Sequence, residues 1–233
     1  MTTTRTSDKK EDASPPLPLR VAFLHLDWGI GGAEQLMLQL AQVTVALGHG
    51  VALYTTRCEP SHCFAPLQPS TGVLYPFLHV HGRWIPQDIA GRFRAICSTI
   101  RLLYLAWCMA RTQRNPAPDV IVLDVLPTPL PFLQYLFPTS SLLFYCHFPD
   151  QLLIQSAYQN RKDNEENATT SETTPIQPTT TAPPPKGWYR TIIDFLENQT
   201  MPFADTIVVN SHFTRRTVLE TFPSLQQQQQ AQP

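Results

Sequence analysis

Charge is scarce in this chain. Asp, Glu, Lys and Arg supply 15% of its 233 residues, and the formal net charge is −1. A protein that grips nucleic acid through a broad basic face carries a clear positive excess, so that class is disfavoured. Glycine is sparse too, at 9 residues against 23 prolines. The five cysteines, Cys58, Cys63, Cys97, Cys108 and Cys146, follow no regular spacing, and three stand inside apolar runs. Such usage fits a reducing compartment rather than a disulfide framework. The first twenty residues are Thr, Lys, Asp, Glu and Pro without an apolar stretch, so no secretory signal is expected. No run reaches the ~20 apolar residues that cross a bilayer. The longest helical candidate, Ala95 to Ala110, carries Arg101 inside it.

What is present is a packable core. Hydrophobic residues reach 42%, which excludes wholesale disorder. At roughly 100–200 residues per domain, the length holds one domain with tails and cannot hold two full α/β domains. Val21 to Leu26 reads as a buried strand, followed by the turn Gly29-Ile30-Gly31-Gly32. Leu36, Leu40, Val43 and Leu47 then recur at helical spacing before Gly48-His49-Gly50, and Val51 to Thr56 reads as a second strand. Further strands are expected at Phe77–Val80, Asp119–Asp124, Ser141–His147 and Asp205–Asn210. Helices are expected at Ile89–Arg111, Phe132–Leu136, Trp188–Asn198 and Ser211–Phe222. Ile192, Phe195 and Leu196 give the third of these an apolar face, and Ser211 is placed to cap the last. Continuous apolar strands alternating with helices predict an α/β fold with a doubly wound parallel sheet. Residues 1–19 are expected to form a disordered leader and 20–225 the folded domain. Within it, residues 158–186 form a low-complexity insert, and 226–233 form a Gln-rich disordered tail.

Ligands of such sheets bind beyond the C-terminal ends of the strands. That rim gathers His25–Gly32, Thr55–Cys58, Asp124–Thr128, His147–Asp150 and Asn210–Phe213. The glycine turn opens a helix, whose unpaired N–H groups suit a phosphate or carboxylate; it reads equally as a tight turn with no ligand. Glu34, in the first helical turn, is a ligand contact or a partner of the helix dipole. His147 ends a buried strand and is either a donor to a sugar or phosphate oxygen or a hydrogen-bonded turn residue. A nicotinamide site is disfavoured. The third fingerprint glycine is replaced by Glu34, and the second strand ends in Thr55-Thr56-Arg57 without an acidic residue. A zinc site from Cys58, Cys63, His79 and His81 is disfavoured by its loose spacing. The helix around Ile96–Met109 is apolar on most faces and flanked by arginines. It is read as a membrane contact through Arg101, Leu103 and Trp107, the alternative being a core helix of the sheet's outer layer.

Several segments together resemble one family. Phe23-Leu24-His25-Leu26-Asp27-x-Gly29-Ile30-Gly31-Gly32-Ala33-Glu34 is similar to the N-terminal signature of family-4 retaining glycosyltransferases. Three more segments narrow the resemblance: Glu59-Pro60-x-His62-Cys63-Phe64, Leu143-Phe144-Tyr145-Cys146-His147-Phe148-Pro149-Asp150, and Val208-Val209-Asn210-Ser211-x-Phe213-Thr214. They point to the α-1,3/1,6-mannosyltransferases that extend the dolichol-linked N-glycan precursor. The resemblance implies a GT-B architecture of two Rossmann-like domains, of which this chain would hold one, the acceptor side. It implies GDP-mannose as donor and a mannosylated chitobiose on dolichyl diphosphate as acceptor. Transfer would proceed with retention, without a metal or other cofactor, at the cytosolic face of the endoplasmic reticulum membrane. Gly31 and Gly32 would approach the donor diphosphate, His147 would act in catalysis beside the transferred sugar, and Glu34 and Asp150 would serve acceptor or loop contacts. Other glycosyltransferases of the pathway are the further partners expected. The family's donor domain, with its Arg/Lys pair and Glu-x7-Glu motif, is not found in this sequence, so transfer by this chain alone is not expected. The alternative reading is a non-catalytic, membrane-associated binding module of a glycosyltransferase assembly.

Overall fold

Six apolar runs pair side by side into one sheet. The computed structural model describes residues 17–89, 93–113, 115–149, 152 and 188–226. The expected insert at 158–186, most of the leader and nearly all of the tail lie outside the described residues. The strands are β1 (Arg20–Leu24), β2 (Gly50–Thr55), β3 (Leu78–Val80), β4 (Val120–Asp124), β5 (Ser141–Cys146) and β6 (Thr206–Val209). All neighbours are parallel, in the order β3-β2-β1-β4-β5-β6. This is the doubly wound, Rossmann-like sheet the sequence pattern predicts. Register keeps the C-terminal ends level, with Leu24 of β1 opposite both Tyr54 of β2 and, one residue short of the end of β4, Leu123.

Strand periodicity splits the core in two. Successive side chains on a strand point to opposite faces. Ala22, Leu24, Ala52, Tyr54, Ile121 and Leu123 therefore join one cluster. Phe23, Val51, Leu53 and Val122 join the other. The second cluster is covered by α1 (Gly32–Ala46) through Met37, Leu38 and Ala41. The first is covered by α2 (Arg94–Thr112) and α3 (Leu130–Leu136) through Leu102, Leu105, Met109, Leu130 and Leu133. Two further helices, α4 (Trp188–Thr200) and α5 (His212–Thr221), follow.

Element positions match the sequence reading to within a few residues, but two helix faces and one helix start differ from it. On α1 the stripe Leu40, Val43 and Leu47 is exposed, because the sheet takes the adjacent stripe Met37, Leu38 and Ala41 instead. On α4 Ile192, Phe195 and Leu196 face outward, while Asp194 and Glu197 are buried against Arg190. The third is α2, which starts at Arg94 rather than Ile89. Phe93 before it has φ +60°, a left-handed conformation that cannot continue a helix. Tyr189 of α4 accepts a hydrogen bond from the Ala95 backbone N–H, 3.1 Å, tying α4 to the first turn of α2.

Ser211 caps α5 as its position predicts: the hydroxyl accepts from the Thr214 N–H at 3.1 Å. Ser211→Ala leaves that donor without its cap and should cost about 1 kcal/mol. Urea denaturation checks it: the midpoint should fall with the slope unchanged, and an unmoved midpoint would show that the cap is not contributing.

Candidate active site

The strand order reverses between β1 and β4, and a crevice opens at such a switch point outside the carboxyl ends of the strands. His25 follows β1 at this point, and Asp124 is the last residue of β4. The two side chains meet there. His25 Nδ1 lies 2.8 Å and 2.9 Å from the two carboxylate oxygens of Asp124. From the end of β5, His147 brings Nε2 to 3.2 Å from Asp124 Oδ2. On the opposite edge of His25, Nε2 stands 3.8 Å from Glu34 Oε1. One carboxylate thus receives two imidazoles, each donating an N–H. Asp124 is fully buried and His25 nearly so, whereas the His147 side chain is 28% exposed toward the rim.

Burial sets the electrostatics. It opposes charge on His25, but the field and hydrogen bond of Asp124, joined by Glu34, outweigh it and hold the imidazolium up to about 10. Burial would push the Asp124 carboxyl up; His25 and His147 more than offset that and bring it below its ordinary value. Glu34 is also lowered, first by His25. The cluster is therefore a buried imidazolium clamped between two carboxylates, with His147 as its outward member. Val125, directly after Asp124, has φ +69°, and the Leu126 N–H closes a tight turn on the Asp124 carbonyl at 2.8 Å. A β-branched residue in that region is strained, of order 1–3 kcal/mol, and such strain gathers at functional sites.

The glycine turn borders the same crevice. Gly31 precedes α1 without a side-chain cap, and Gly32 opens it. A Cβ on Gly31 would collide with the Glu34 carboxylate, which folds back over it. Gly32 has open space where its Cβ would be, so its surface faces solvent at the helix N-terminus. The outer lip is fixed by β5 and β6: Asn210 Nδ2 reaches the His147 carbonyl at 3.5 Å, and Phe148 stacks near Phe213 at 6.4 Å.

Of the residues singled out from sequence, His147, Gly31, Gly32 and Glu34 come together here. Asp150 lies outside the described residues. Arg101 does not share the outward face of Trp107. It is only 6% exposed and turned into the protein, where Nη2 bonds the Thr56 hydroxyl and the Leu26 carbonyl. That takes it off the outward face of α2, so it does not lie beside Trp107 against a membrane surface. Leu103 is half-buried and Trp107 is 42% exposed on the other face. Sequence reasoning placed His25 and Asp124 on the rim but gave them no role. Their signal was a polar residue closing an apolar strand on either side of the strand-order reversal. Among the described residues, no group of three His, Cys, Asp or Glu side chains is placed to hold a metal.

The charged pair makes stability depend on pH. His25 is raised above its unfolded value, so its contribution is complete below pH ~6.5 and is lost as pH rises through about 10. Across that window the unfolded chain binds one proton fewer, and unfolding free energy should fall by about 1.4 kcal/mol per pH unit from this group. Asp124→Asn removes the partner and should abolish that slope in urea titrations from pH 7 to 9.5. An identical slope in the variant would show that His25 is not held charged by Asp124.

From Ile30 onward, the described residues of this rim fall within a wider match. The family model described as Glycosyltransferase Family 4 matches residues 30–226. The α-1,3/1,6-mannosyltransferase ALG2 of Kluyveromyces lactis is 38% identical over 206 residues, covering 88% of this chain and 35% of that protein. The ALG2 of Saccharomyces cerevisiae is 37% identical over 205 residues, with coverage of 88% and 35%. That of Yarrowia lipolytica is 38% identical over 207 residues, with coverage of 88% and 39%. The chain thus spans little more than a third of the length of these curated relatives. A solved complex of Phytolacca americana UGT2 with UDP-2fluoro-glucose and pterostilbene aligns at a TM-score of 0.48 and 10% identity, over 94% of this chain and 52% of that one. With the family match running across most of its length, this chain belongs to glycosyltransferase family 4.

Proposed function

We propose that this chain is the acceptor-side domain of an α-1,3/1,6-mannosyltransferase of N-glycan precursor assembly. In this reading mannose passes from GDP-mannose to a mannosylated chitobiose carried on dolichyl diphosphate, with retention and without a metal. The work takes place at the cytosolic face of the endoplasmic reticulum membrane, beside other glycosyltransferases of the pathway, and a donor-binding domain completes the site. The observation that carries the reading is the His25–Asp124–His147 cluster at the strand-order reversal, next to a helix N-terminus.

The residues divide the labour by geometry. The N-terminus of α1, opened by Gly31 and Gly32, offers backbone N–H groups to the departing diphosphate. His147 stands at the crevice with Nε2 held by Asp124, so its ring is oriented rather than free to turn. It stabilises charge on the sugar and phosphate as the glycosidic bond breaks. Asp124 and His25 are positioning residues: they fix the ring without reaching the surface themselves. Glu34 shapes the glycine turn: its carboxylate folds over Gly31 and faces His25 Nε2 at 3.8 Å. A purely membrane-associated binding module has no use for a buried imidazolium and a strained turn at the switch point, and this favours the enzyme.

A chimera tests the reading. Residues 17–226 are exchanged into the matching segment of the Saccharomyces cerevisiae relative, and mannose transfer from GDP-mannose to a lipid-diphosphate chitobiose acceptor is measured. The chimera should transfer. His147→Ala should lower kcat about a hundredfold, as loss of an oriented charge-stabilising group does, with acceptor KM little changed. A folded but inactive chimera, or an undiminished His147→Ala, would overturn it.

A further inference from the structure

A second cavity opens beyond the ends of β2 and β3. It has a volume of about 270 Å³ and is lined by Thr56, Arg57, Glu59, Arg83 and Arg101, with the loop Gly82–Gln87 as its wall. Three guanidinium groups and the Glu59 carboxylate line it, and the Asp27 carboxylate is close enough to act on Arg57 and Arg101. Arg57 gives Nε and Nη2 to the same oxygen of Glu59, at 3.0 and 2.7 Å, which steadies the side chain and leaves Nη1 over. Arg83 is exposed and forms no ion pair among the described residues. Arg101 is the decisive member. It is 6% exposed, and its Nε is buried without a hydrogen-bond partner. An unpaired buried donor on a charged group is costly, and the positive charge left only partly met beside the cavity favours an anion there.

The same loop carries an apolar companion. Trp84 is 74% exposed and packs edge-on against Tyr104 of α2 at 5.6 Å. Tyr104 meets Trp107 at 5.8 Å, and Arg111 sits 4.4 Å over the Trp107 ring. Positions 100, 104, 107 and 111 form one outward stripe of the helix. Gly82 makes the junction possible. Its φ is +86°, and a Cβ there would stand 3.0 Å from the Tyr104 ring, so only glycine lets the loop turn this close to α2.

We propose that this cavity is the headgroup site for a lipid phosphate or diphosphate, whose apolar chain runs over Trp84, Tyr104 and Trp107. A soluble anion would use the arginines and leave the aromatic stripe unexplained; a lipid phosphate uses both. The proposal deepens the acceptor-side reading, on which it rests only for the identity of the lipid.

The 233-residue chain is titrated calorimetrically at 0.15 M salt with farnesyl diphosphate, inorganic pyrophosphate, GDP and farnesol. Farnesyl diphosphate should bind about tenfold or more tighter than pyrophosphate, through the buried chain. Arg57→Gln and Arg83→Gln, both outside the packed core, should each weaken it about tenfold, as loss of a charge-assisted hydrogen bond does. Trp84→Ala should weaken farnesyl diphosphate and leave pyrophosphate unchanged. Equal binding of farnesyl diphosphate, pyrophosphate and GDP would make this a free-anion site and overturn the lipid assignment. Binding insensitive to both arginines would overturn the site itself. His147→Ala should leave farnesyl diphosphate binding intact. An inactive chimera that still binds the lipid would therefore sink the transferase reading alone, and an active one that does not bind would sink this site alone.

Discussion

A fully buried carboxylate is the constraint on which the rim depends. Asp124 has no access to water, so its charge must be met inside the protein or given up. His25 meets it through Nδ1, and that contact fixes β1 to β4 at the point where the strand order reverses. Breaking such a pair from one side leaves an uncompensated buried ion, which costs about 3–5 kcal/mol. Once His25 is charged, its far edge attracts Glu34. The Glu34 carboxylate then closes over Gly31, so the mouth of α1 is shaped by an ion two residues outside the turn. On the other side Asp124 receives His147. The oriented surface imidazole is thus the last link of a chain that begins in the core.

The second cationic feature follows from the same sheet. α2 must lay one face on the strands, and Arg101 stands on that face with Leu102, Leu105 and Met109. Its guanidinium reaches the loops after β1 and β2 through Leu26 and Thr56, which holds them together above the core. Its unpartnered Nε leaves the anion cavity electrostatically unfinished. The opposite face of α2 is free to carry the aromatic stripe. One helix therefore connects a charged pocket with an apolar surface, a pairing suited to an amphiphile.

Much of the fold was legible in the sequence. Parallel strands covered on both faces read as unbroken apolar runs, and all six strands are found at the expected runs, with ends shifted by a residue or two. His147, Gly31 and Glu34 were legible because strand ends and helix starts of such sheets border the ligand crevice. Their partners were not. His25 and Asp124 are 99 residues apart, and nothing local in either stretch announces a salt bridge across the switch point. Helix faces were also misread, for a physical reason. α1, α2 and α4 carry more apolar residues than one stripe needs, and periodicity alone does not tell which stripe the sheet will take. In α2 this led to Arg101 being assigned outward, when the sheet-facing side is the one that holds it.

The rim depends on His25 being a buried imidazolium clamped by Asp124. Nitrogen-15 NMR of the imidazole rings at pH 8 measures that state directly. His25 should show both ring nitrogens protonated at a pH where an ordinary histidine is neutral, and Asp124→Asn should return it to a single protonated nitrogen. A neutral His25 at pH 8 in the unaltered chain, titrating near ~6.5 like a solvent-exposed histidine, would contradict the account at its root.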